Sequence, residues 1–157
     1  MKIFQICLTV SIGFVLSACS SDTLNHLPGV DPWMDGNIGE FSTFSDNVGT
    51  GPVSMLNLLK FRELSLDGNG TGAESYVRYA ESARPFVKQH GGELISSSKA
   101  GEHLVGDTNY NWDMVLIVRW PDRQNLLDLI DDEGYKAISH HRKNGLERTM
   151  LIALDGG

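Results

Sequence analysis

Two segments of this chain are apolar on both sides of any strand they could form. Val53-Ser54-Met55-Leu56-Asn57-Leu58-Leu59-Lys60-Phe61 follows a Gly-Pro pair, and the run Trp112 to Trp120 is apolar throughout from Met114 to Val118. Unbroken β-prone runs of this length read as the central strands of a sheet, not as half-wet edges. In the first, Met55, Leu59 and Phe61 oppose Leu56 and Leu58; in the second, Met114, Leu116 and Val118 oppose Val115 and Ile117. A fold containing both strands must therefore cover its sheet twice.

The remaining elements supply one of those covers. Asp67-Gly68-Asn69-Gly70 is a turn, and Thr71 with Glu74 forms a capping box that opens a helix from Ala73 to about His90. Its apolar stripe is Tyr76, Val77, Ala80, Ala83 and Val87; Pro85 is expected to bend it, and Gly91-Gly92 to stop it. Glu93 to Ser98 and His103 to Val105 read as a short strand and its return around Lys99-Ala100-Gly101. Pro121-Asp122 caps a helix carrying Leu126, Leu127, Leu129 and Ile130, and a second helical piece starts at Gly134 and stops at Gly145. Leu146 to Leu154 alternates as a last strand. The order is β-α-β-β-α-β, an α+β, ferredoxin-like arrangement with a four-stranded antiparallel sheet and both helices on one face. The bare apolar face, several hundred Å² in such a sheet, calls for a second copy packed sheet against sheet. A homodimer is the expectation.

The N-terminus has a different character. Lys2 precedes an apolar run from Ile3 to Leu16, too short for a spanning helix and laid out as a secretory signal. Leu16-Ser17-Ala18-Cys19 resembles the lipobox of bacterial lipoproteins, in which the cysteine is lipidated and the signal is cut before it; the alternative is an ordinary signal cut after Ala18. The division expected is residues 1–18 as signal peptide, 19–51 as a lipid-anchored tether with a short helix near Ile38, Phe41, Phe44 and Val48, and 52–157 as the folded domain. Losing residues 1–18 removes only Lys2, so the formal charge moves from −7 to −8. Such an acidic chain lacks the electrostatic footprint for nucleic acid or anionic lipid headgroups, and membrane attachment would rest on acyl chains at Cys19. With Cys7 in the signal and Cys19 acylated, disulfides, thiolate metal sites and cysteine nucleophiles are excluded. Ser20 and Ser21, in place of the Asp that favours inner-membrane retention, point to the outer membrane facing the periplasm.

Several motifs, in order, resemble one family. Val53 to Arg62 is similar to the opening strand of the domain-of-unknown-function 1330 family, within the dimeric α/β-barrel superfamily. Tyr76, Tyr79-Ala80, Pro85 and Gly91-Gly92-Glu93 resemble its first helix and second strand, and Trp112-Asp113 with Val118-Arg119-Trp120-Pro121 its third strand. Tyr135-Lys136-Ala137 with His141 to Leu146 resembles its last helix and turn. The resemblance spans about 52–154 and implies the fold and the dimer. It implies no reaction.

Candidate site residues follow from chemistry alone. Asn57 is an amide in the middle of an apolar strand, where an unpaired amide costs about 1–3 kcal/mol; it either donates to a ligand or bonds a neighbouring segment. Lys60 and Arg62 end the first strand and Arg119 ends the third; converging, they would suit a small carboxylate or enolate, and otherwise they pair with Glu93 or Asp113. Trp112-Asp113 could form a cofactor-free proton-transfer site, because an aromatic wall disfavours the charged carboxylate, or Asp113 caps a loop or pairs with an arginine such as Arg142. His141 is the histidine placed to line a pocket; adjacent His140 diverges from it by about 100° on a helix, so no metal is expected. His90 reads as a helix-end charge. Asp67 begins a run that superficially resembles a calcium loop, but Arg78 stands where the bidentate Glu belongs. No cofactor fingerprint is present. These residues fit an envelope domain that binds a small organic molecule; a cofactor-independent oxygenase or isomerase and a structural, partner-binding lipoprotein are the alternatives.

Overall fold

The computed structural model describes residue 31 and residues 34–154. The signal peptide, Cys19 and the start of the tether lie outside the described residues. The elements run α1 (Ile38–Asp46), β1 (Val53–Phe61), α2 (Gly72–Gln89), β2 (Glu93–Lys99), β3 (Met114–Trp120), α3 (Arg123–Asp131), α4 (Glu133–Gly145) and β4 (Leu146–Leu154). The four strands form one antiparallel sheet in the order β2-β3-β1-β4, which is the ferredoxin-like topology. As their composition requires, β1 and β3 are central.

Register divides the side chains cleanly. Val53, Met55 and Leu59 point to the helices and are at most 4% exposed. Val53 and Met55 join Trp120, Leu126 and Leu129 in one core cluster, and Leu59 joins Tyr76, Tyr79, Ala83 and Leu146 in another, with Tyr135 packed against both. Asn57 falls on this same face between the two clusters, opposite Leu116 and Leu151. A bulge at Lys60/Phe61 pairs Phe61 with Leu146 and skips Glu147. Without that extra residue Glu147 would face the core; with it Leu146 does, and is 0% exposed.

The helix layer is joined to the end of β1 through backbone. Arg62 donates its N–H to the Gly145 carbonyl at 2.9 Å, and its own carbonyl accepts from Gly72 N at 3.1 Å. Gly145 ends α4 as expected, though it is absent from the positive-φ glycines. It is glycine because a Cβ there would lie 2.5 Å from the Gly72 carbonyl oxygen and 2.9 Å from Tyr76 N. The capping box of α2 forms as expected, with Thr71 Oγ1 accepting from Glu74 N and Glu74 accepting from Thr71 N. Pro85 leaves α2 a single helix, its ring on the exposed side.

One expectation needs correction. His103 to Val105 forms no strand; Leu104 and Val105 are 91% and 95% exposed in the long connection from β2 to β3. The return strand is β3, because only its apolar run can occupy the sheet centre. Ahead of the domain, α1 docks on α3: Phe44 packs against the first core cluster, under the Arg123 guanidinium at 5.4 Å. Asp122 fastens the segment that follows, accepting from Gly49 N at 2.9 Å and Gly51 N at 3.2 Å while capping α3 at Gln124 N.

The Gly72–Gly145 crossing predicts an asymmetric response to a single methyl. Gly145→Ala should lose about 1–3 kcal/mol, the usual cost of overpacking, in urea unfolding. Gly101→Ala, where nothing lies within 4 Å of the added carbon, should shift the midpoint negligibly.

Candidate functional site

Where β1 ends and β3 begins, the chain builds a clasp. Asp113 donates its N–H to the Leu59 carbonyl at 2.8 Å. Its carboxylate accepts from Phe61 N at 2.7 Å through one oxygen and from Lys60 Nζ at 2.9 Å through the other. The proton-transfer geometry considered for Trp112-Asp113 is therefore not what forms, since both Asp113 oxygens hold strand ends together. Lys60, not Arg142, is the partner of Asp113; Arg142 donates instead to Thr149 Oγ1 at 2.9 Å.

Beside this clasp lies a cleft of about 410 Å³ between the first turns of α2 and the ends of β1, β2 and β3. Phe61, Tyr76, Val77, Trp112 and Met114 form its apolar walls, and Lys99 stands at its edge. Phe61 and Tyr76 pack as tilted rings with centroids 5.4 Å apart. The Arg148 guanidinium lies 5.5 Å from the Trp112 ring centre and also donates to Asn111 Oδ1 at 3.2 Å, which ties the β2–β3 connection to β4. Burial pushes the Tyr76 hydroxyl up to about 12. Behind it, Tyr79 and Tyr135 share a short hydroxyl–hydroxyl hydrogen bond. Burial, reinforced by Tyr135, holds Tyr79 well above its usual value.

The other candidates do not gather at this cleft. Arg119 is registered opposite Ser54 and Glu93, at the far end of the sheet from Lys60. The antiparallel ladder forbids the convergence considered for Lys60, Arg62 and Arg119, because the end of β3 meets the start of β1. Asn57 donates to the Met55 carbonyl of its own strand at 3.1 Å, so part of its amide is satisfied locally. Arg62 serves the α2–α4 crossing through its backbone. His141 and His140, expected to diverge, lie with ring centres 4.0 Å apart and planes tilted by 43°, and the His141 carbonyl accepts from Ser75 Oγ at 3.0 Å. Arg78, noted as the wrong residue for calcium, donates to the Asn69 carbonyl at 3.0 Å and lies 3.8 Å from Asp67. No cluster of three or more metal-ligating side chains occurs among the described residues, and no helix among them is long and apolar enough to cross a membrane.

Sequence reasoning missed Phe61, Tyr76, Val77, Met114 and Lys99 as cleft residues. Phe61, Tyr76, Val77 and Met114 read as strand or helix core and Lys99 as part of a turn, and only the tertiary arrangement brings them to one cleft.

Titration of the helix caps predicts how stability depends on pH. Asp122 is held low by hydrogen bonds from Gln124 N and Gly49 N, Asp132 by His90 and Tyr135 N, and Glu74 by Thr71 N. Depressed carboxylates contribute stability that is complete above their ordinary values near 4 and is lost as pH falls through their lower folded values. His141 is lowered from 6.5 by desolvation and then by His140 and Arg78. Its folded form binds protons more weakly than the unfolded chain, so stability starts to erode as pH drops below 6.5. Urea midpoints measured from pH 8 to pH 2 should therefore decline in two steps, and His141→Gln should remove the upper one.

Comparison with known proteins agrees with this architecture. The family described as domain of unknown function DUF1330 matches residues 69–155, more than half of the chain. The crystal structure of a protein of unknown function from Rhodopseudomonas palustris is similar at 29% identity, with a TM-score of 0.74 over 80% of this chain and 97% of that one. The methylated form of that protein gives 30% identity and a TM-score of 0.71 over 78% and 96%. No curated protein matches. The chain belongs to the DUF1330 family and carries its domain on a ferredoxin-like fold.

Proposed function

We propose that this chain is a lipid-anchored envelope protein whose domain binds a small organic molecule in the cleft between α2 and the sheet. The cleft itself carries the reading. At about 410 Å³ it has the size of a small-ligand site, its walls are aromatic and aliphatic, and a few polar groups stand at its edge.

The opposite face of the sheet supports a homodimer. Leu56, Leu58, Val115, Ile117, Met150 and Ile152 form a continuous apolar field on the side away from the helices, and none of them is buried. A field of this kind on an isolated domain favours association, and a second copy offers the same self-complementary surface. Sheet-to-sheet packing would leave the two clefts facing outward, on the helix sides.

Native mass spectrometry of the full chain, purified gently from its own host, tests both parts. The expected result is a dimer with a reproducible extra mass in the range of a small organic molecule. An empty dimer that accepts no small molecule when titrated removes the ligand reading; a monomer removes the dimer. Ile117→Lys, which places a charge in the middle of the apolar field, should convert the dimer to monomer at micromolar concentration in sedimentation.

Attachment has its own test. Cys19→Ala should move the protein from the membrane fraction to the soluble one and abolish incorporation of labelled palmitate. A variant that keeps its membrane association would overturn the anchor.

A further inference from the structure

The charges around the cleft do not cancel. Lys60 and Asp113 neutralise each other at 2.9 Å, and Arg148 is taken up by Glu147 at 3.5 Å and by the Trp112 ring. Lys99 ends β2 at the edge of the cleft, registered opposite Met114, and makes no ion pair among the described residues. Tyr76, in the wall of the cleft, is a neutral phenol and brings no opposing charge. A chain with a formal charge of −7 thus carries an uncompensated ammonium beside three aromatic side chains, Phe61, Tyr76 and Trp112.

We propose that the cleft takes a small aromatic carboxylate, its ring against Phe61, Tyr76, Trp112 and Met114 and its anionic end on Lys99. This rests on the small-molecule reading above and adds the ligand class. Rings of this kind stack offset or edge-on, with centroids about 4.5–7 Å apart, against walls such as the tilted Phe61–Tyr76 pair. The carboxylate gains a charge-assisted hydrogen bond from an ammonium that is otherwise only solvated. A cationic ligand would meet Lys99 with like charge. A neutral ring would use the walls and leave Lys99 idle.

Calorimetric titration of the full chain with benzoate, and separately with its neutral isostere benzamide, decides the matter. Benzoate should bind about tenfold more tightly than benzamide at low ionic strength, and the ratio should shrink as salt is raised. Lys99→Met should bring benzoate down to the benzamide level and leave benzamide unchanged. Lys99→Arg should preserve the preference. The Lys99 side chain is exposed on an edge strand, so these variants are not expected to disturb folding. Equal binding of the two probes by the unaltered chain would overturn the anionic assignment while leaving the cleft a binding site. A preference that survives Lys99→Met would overturn the role of Lys99. If neither probe bound, the small-molecule reading would fall with it.

Discussion

One residue at the end of β1 holds the architecture in register. Arg62 gives its N–H to the last residue of α4 and its carbonyl to the first residue of α2, so a single backbone unit joins the central strand to both long helices. The two helix ends can approach this closely only because both are glycine. A side chain on Gly72 or Gly145 would run into backbone atoms, which cannot swing aside as a flexible side chain can. From this crossing α2 is aimed along the sheet, Tyr76 and Tyr79 descend into the second core cluster, and Val77 is left at the edge as the outer wall of the cleft. The cleft is thus set by a backbone contact at the helix ends, not by its own lining.

A second constraint acts from the strand side. Asp113 closes the gap between β1 and β3 by accepting from Phe61 N and Lys60 Nζ, and Phe61 is a wall of the cleft. The same carboxylate that reads as a catalytic candidate in isolation is used to fix a strand end. This is a common fate for an Asp just before a strand: the extended backbone presents free N–H groups within reach, and a charged acceptor satisfies them better than water does.

The elements were legible in the sequence because their signals are local. Unbroken apolar runs are contiguous in the chain, the Thr71–Glu74 capping box and the Asp122 cap act within three residues, and each appears where it was read. The short strand at His103 to Val105 was misread because a few β-prone residues carry no information about whether a neighbour exists for them to pair with. The site was less legible for a related reason. Arg119 and Lys60 look equivalent as strand-ending cations, and only antiparallel pairing sends them to opposite ends of the sheet. Tyr76 and Met114 look like core, and they are; they become cleft walls because β2 is a fully exposed edge strand and no helix covers it.

That uncovered strip also separates the two surfaces. The proposed dimer uses the face built from Leu56, Leu58, Val115 and Ile117, whereas the cleft opens on the helix side, where Lys99 and Met114 share a register position. Because side chains alternate along a strand, neighbours such as Met114 and Val115 serve opposite faces within one residue step. Two-sided apolarity in β3 therefore answers two demands at once: its even-numbered residues close the core and floor the cleft, and its odd-numbered ones face the proposed partner. Asn57 fits the same logic. It stands on the helix side, where the two core clusters meet, and can partly satisfy its amide through Met55 of its own strand. On the opposite face an amide would interrupt the apolar field that the proposed second copy covers.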